Sequence, residues 1–215
     1  MAYNEMQTHL PECRGMASWW DYRARGLGGN PVSCAEENVL CYDGGHWRGE
    51  NIFVHEFAHI IQGAIASLDK AFKPRLVALH ETARKSGRFK GYAINNVGEF
   101  WAEGVQAWFN CNGAIRQVSA RRESSFEVIG TRGEHRCHIT SRELLKTYMP
   151  DYAKLLDESF RQNPWIYLPI ASRLDEPHLR GYDPEKAPTF VWPAGVAETF
   201  KRYEAEQAKK KRQQK

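Results

Sequence analysis

Residues 52–61 read IFVHEFAHII. Seven of these ten are apolar, yet His55, Glu56 and His59 stand among them. In the longer stretch GENIFVHEFAHIIQGAIASLDKAF (49–72), Asn51 is placed to cap a helix whose apolar residues run almost all the way round. A helix of that kind is buried on most sides. Burying two imidazoles and a carboxylate without partners is costly, so something must satisfy them. One answer is a pair of core histidines bonded to backbone carbonyls, with Glu56 at the helix edge. The other is a shared ligand.

Spacing favours the second answer. Positions i and i+4 share a helix face, with Cβ atoms roughly 5–6 Å apart, so His55 and His59 can aim both imidazoles at one point. Glu56 projects beside that point. This is the H-E-x-x-H arrangement of zinc peptidases, in which the glutamate is the general base. Catalytic zinc takes three protein ligands and a water. The extended pattern H-E-x-x-H-x-x-G-x-x-H needs glycine at position 62 and histidine at 65, where this chain has Gln62 and Ile65. The third ligand must come from elsewhere.

VGEFWAEGVQAWFNCNG (97–113) offers it. Read as a helix, it carries a polar stripe of Glu99, Glu103 and Gln106 among Phe100, Trp101, Val105, Trp108 and Phe109. Glu99 can ligate the metal, and Glu103, one turn later, can accept the free N–H of a ligating histidine. The plainer alternative is a solvated face with two ordinary glutamates.

HEFAH (55–59) followed by YAINNVGEFWAEG (92–104) resembles the gluzincin metallopeptidases, above all the catalytic domain of anthrax lethal factor and its relatives. The resemblance covers roughly residues 45–112, and its specific part is a tyrosine seven residues before a glutamate in Y-x-x-x-N-x-x-E-F-[FW]-A-E. It implies a zincin-like domain with His55, His59 and Glu99 as zinc ligands, Glu56 as base and Glu103 behind the ligands. It also implies that the Tyr92 hydroxyl is aimed at the reacting carbonyl, although a tyrosine packed at a helix entrance reads the same way. The activity expected is that of a zinc-dependent endopeptidase acting on a protein or peptide, through a zinc-bound water activated by Glu56, with Tyr92 assisting the oxyanion. The rival is a non-catalytic, zinc-stabilised binding module derived from a peptidase fold.

The remainder of the 215 residues sets the frame. KPRLVALHETARKSGRF (73–89) predicts a second helix from near Pro74 to Gly87, with His80 as a packing or surface histidine. SRELLKTYMPDYAKLLDESF (141–160) predicts one or two amphipathic helices divided at Pro150. Residues 1–48 read as loops and short extended pieces, NVLCY (38–42) being the best strand candidate. Trp19, Trp20 and Trp47 there suit either core packing or a cleft wall. Residues 114–138 read as polar and irregular, and His46, His135 and His138 sit in loop-like surroundings. Six of the ten prolines fall from residue 163 onward, predicting an extended segment laid over the body, then a short helix. The expected class is α+β, mainly helical with a small β component. One zincin-like domain spans 1–200, followed by a disordered basic tail, 201–215.

Much of the net charge of +4 lies in AKKKRQQK (208–215), so the near-neutral body argues against a dedicated nucleic-acid binder. No run of about eighteen apolar residues predicts a membrane span. MAYNEMQTHLPECRG (1–15) has neither the basic start nor the apolar stretch of a signal peptide. No compartment is assigned, an extracellular one being favoured if the chain is a mature form. Five cysteines include no C-x-x-C pair. Cys34 with Cys41, and Cys111 with Cys137, are spaced to bridge.

Overall fold

The computed structural model describes residues 26–29, 31–34, 50–113, 115–118, 121–130, 136–161, 163–168 and 174–186, with scattered positions between 198 and 213. Helix α1 (Ile52–Leu68) starts at Asn51, whose side-chain oxygen accepts the Val54 N–H at 3.1 Å. It stops sooner than the apolar run predicts. The Asp69 carboxylate accepts the Ala71 N–H at 2.8 Å, a local bond that competes with helix continuation. The chain then turns into α2 (Phe72–Ser86), which ends at Gly87 in the left-handed region, φ 66°.

After a strand at Phe89–Lys90 and one 3-10 turn at Tyr92–Ile94, Asn96 caps α3 (Val97–Trp108) by accepting the Glu99 N–H at 3.0 Å. Residues 100–109 are all buried, which makes α3 the middle of the core. The Trp101 indole donates to the Ala58 carbonyl of α1 at 2.7 Å and meets Phe72 of α2 edge-on. Truncating such a tryptophan to alanine costs about 3–5 kcal/mol. The helix ends at Trp108 rather than near Gly113, because Asn110 takes a left-handed conformation, φ 59°, as residues at helix C-termini often do.

Pro150 divides the next segment as the sequence predicts: α4 (Arg142–Tyr148) is capped by Ser141, and α5 (Pro150–Ser159) starts on the proline. Helix α5 lies against α3, its Tyr152 ring stacked on Phe100 and its hydroxyl donating to the Phe100 carbonyl at 2.7 Å. Gly104 permits that approach, since a Cβ there would overlap the Tyr152 hydroxyl.

The strands are short and antiparallel. β1 (Gly26–Leu27) pairs with β2 (Ser33–Cys34). β3 (Phe89–Lys90) pairs with β6 (Glu127–Ile129), which pairs with β7 (Arg136–His138). β4 (Ile115–Val118) and β5 (Arg121–Ser124) form a hairpin. The chain is therefore mainly helical with a small β component. Residues 114–138, expected to be irregular, supply four of these strands; segments such as RRES and RCH are too short and polar to show a period of two.

Residues 163–168 cross the end of α3, with the Tyr167 N–H donating to the Phe109 carbonyl at 2.7 Å and Arg142 Nη2 to the Trp165 carbonyl at 2.8 Å. The described positions between 201 and 213 are helical and exposed, in the stretch expected as a disordered tail; Ala, Glu, Gln, Lys and Arg dominate that stretch and are among the strongest helix formers. Cys137 is a free thiol, so the bridge to Cys111 does not form. NVLCY, with Cys41, and the residues His46, His135, Trp19, Trp20 and Trp47 lie outside the described residues.

Candidate metal centre

Helices α1 and α3 are tied together at three levels. The Trp101 indole bonds the Ala58 carbonyl, the Gln106 amide donates to the Asn51 carbonyl at 3.0 Å, and the Asn51 N–H donates to the Cys111 carbonyl at 3.0 Å. These bonds fix the register in which His55 and His59 of α1 face Glu99, Glu103 and Gln106 of α3.

Within that register His55 Nε2 lies 3.0 Å from Glu99 Oε2, and His59 Nε2 lies 3.9 Å from the same oxygen. The two imidazoles stand nearly perpendicular, with ring centroids 5.0 Å apart. One ligand atom from each of His55, His59 and Glu99 falls within 4.8 Å of the others. Ligand atoms sharing one tetrahedral zinc at about 2.0–2.1 Å are roughly 3.3 Å apart, so this donor set fits a metal ion. His55 is buried, while the His59 and Glu99 side chains retain 27% and 18% exposure, enough to open the site to one side.

Burial and neighbouring charge shift two of the three groups. Burial, reinforced by the charge of His55 and opposed by Glu99, lowers His59 to about 4. Burial alone would raise Glu99, but hydrogen bonding and charge from His55, the charge of His59 and a bond from Tyr92 together bring it to about 2. A lone pair on His59 and a carboxylate on Glu99 are what a cation requires.

Carboxyl groups also gather behind His55. Glu50, His55 and Glu103, all buried, form a second group of potential ligand atoms within 4.8 Å of one another. Glu103 Oε1 is 3.6 Å from His55 Nδ1, while Gln106 Oε1 is only 2.9 Å away. The direct hydrogen bond expected of Glu103 is thus made by Gln106; Glu103 stands one step back. Gln106 belongs to the polar stripe seen in the sequence, seven residues after Glu99 and on its face of the helix. Glu50 was not visible as part of the site, because it precedes the helix and nothing in its spacing marks it.

Glu56 faces the β1 segment. A Cβ on Gly26 would overlap Ile52 and reach to 2.6 Å from Glu56 Cγ, and one on Gly28 would come within 3.3 Å of Glu56 Oε2 and 3.4 Å of His59 Cβ. Glycines two apart point to the same side of an extended chain, so this backbone lies directly on α1. Tyr92 hydrogen-bonds Glu99, and its ring centroid is 6.3 Å from that of His55. His55, His59 and Glu99 therefore gather at one point, with Tyr92 engaged on the Glu99 carboxylate. His80 stands apart: it is buried, with Nε2 3.1 Å from the Ile94 carbonyl. His138 pairs with Ser124 at 3.2 Å.

Among the described residues no helix is long and apolar enough to cross a membrane. No protein-family model matches the chain, and searches of curated proteins and of solved structures return no significant match.

Proposed function

We propose that the chain is a zinc-dependent metallopeptidase with a zincin-like domain of the gluzincin kind. The observation that carries this reading is the convergence of His55, His59 and Glu99 from two helices, with Glu56 on the same turn as both histidines. Bound zinc would supply a Lewis acid and a water acidic enough to lose a proton near neutral pH. With the metal in place, Glu56 would serve as the general base toward the attacking water and as the proton donor to the leaving amine. Tyr92, bonded to Glu99, would instead donate to the developing oxyanion, while Gln106 would hold His55 from behind.

A second reading, a zinc-stabilised binding module, draws on Tyr92 being engaged by Glu99 and on β1 lying against Glu56. The experiment that separates them is zinc stoichiometry together with digestion of a peptide library, on wild type and Glu56→Gln side by side. A peptidase cleaves with the wild type, while Glu56→Gln keeps its zinc and loses about 10²–10⁴-fold in turnover. A zinc-loaded wild type that cleaves nothing supports the binding module.

A further inference from the structure

Gln106 is fully buried, and its amide has three partners. Nε2 lies 3.0 Å from the Asn51 carbonyl and 3.3 Å from Glu50 Oε1, and Oε1 lies 2.9 Å from His55 Nδ1. A carbonyl and a carboxylate only accept hydrogen bonds. The two N–H groups of Gln106 therefore point at Asn51 and Glu50, and its oxygen points at His55. The reversed amide would set oxygen against two other oxygens. Since Oε1 only accepts, His55 must donate from Nδ1, which leaves Nε2 for the point shared with His59 and Glu99.

We propose that Gln106 is the positioning residue that fixes the tautomer and ring plane of His55, with Glu50 and the Asn51 carbonyl holding its amide the right way round. Glu103 lies farther from the same nitrogen, at 3.6 Å. The inference rests on the metal-centre reading above and deepens it. A neutral amide draws less on the Nδ1 proton than a carboxylate does. The arrangement also links metal binding to the start of α1, since the Asn51 carbonyl that holds Gln106 also accepts the His55 N–H, at 3.3 Å.

The test uses the full chain loaded with zinc. Zinc affinity is measured by chelator competition, and the protonated ring nitrogen of His55 is identified by long-range ¹H–¹⁵N correlation. Wild type should show a proton on Nδ1, protected from exchange, with Nε2 on the metal. Gln106→Met, which keeps the bulk and removes the acceptor, should bind zinc about 10–100-fold more weakly and lose that protection. Zinc affinity within twofold of wild type in Gln106→Met, with the Nδ1 proton still protected, overturns the proposal and leaves the metal centre standing. Metal on Nδ1 in the wild type also overturns it, and that result needs no variant to fold. A wild type that binds no zinc overturns both.

Discussion

Glu99 and Glu103 lie one helical turn apart and are both carboxylates, yet they meet His55 from opposite ends of its ring. Glu99 Oε2 is 3.0 Å from Nε2, and Glu103 Oε1 is 3.6 Å from Nδ1. That difference ranks their roles. Glu99→Ala should cost zinc affinity well beyond 100-fold, since it would remove a proposed ligand, whereas Glu103→Ala should cost about 10–100-fold or less, as changes behind a ligand do. The reverse ranking in a chelator titration would reassign the third ligand. Tyr92 is close to the donors but not one of them. Tyr92→Phe should leave zinc content unchanged and lower kcat by about 10²–10³-fold, the usual loss of one oxyanion donor; an unchanged kcat would confine Tyr92 to its bond with Glu99.

At the scale of elements, α3 carries the design: one helix supplies both the core and half the site. Its contact with α5 runs through the Tyr152 hydroxyl, and burial, with a contribution from Glu103, pushes that phenol well above its ordinary value. Above about pH 10 the unfolded chain loses this proton, while the folded chain keeps it. The folded state then binds more protons, so stability falls as pH rises. Alkaline denaturation curves of wild type and Tyr152→Phe should differ by up to one proton in slope above that pH, and identical slopes would contradict the assignment. Helices such as α1 and α3 were legible because capping, apolar periodicity and the four-residue spacing of His55 with His59, and of Glu99 with Glu103, are local signals. The end of α1 at Asp69 turned on one side-chain bond, and β4, β5 and β7 had no apolar alternation to betray them. Gln106 was visible as part of a polar stripe, but its bond to His55 depends on how two helices align, which spacing within either one does not encode.

Across the whole molecule, α1 and α3 meet so that side chains from positions 55, 59 and 99 could hold one metal ion. The helical frame sets their geometry, α2 and α5 brace α3, and β1 lies along the face of α1 that bears Glu56. Anomalous diffraction at the zinc edge, on crystals of the zinc-loaded chain, tests this most directly. A single strong peak about 2.0–2.2 Å from His55 Nε2, His59 Nε2 and a Glu99 carboxylate oxygen is the result expected. A stoichiometric zinc held by other residues, or no peak between these three, would contradict it.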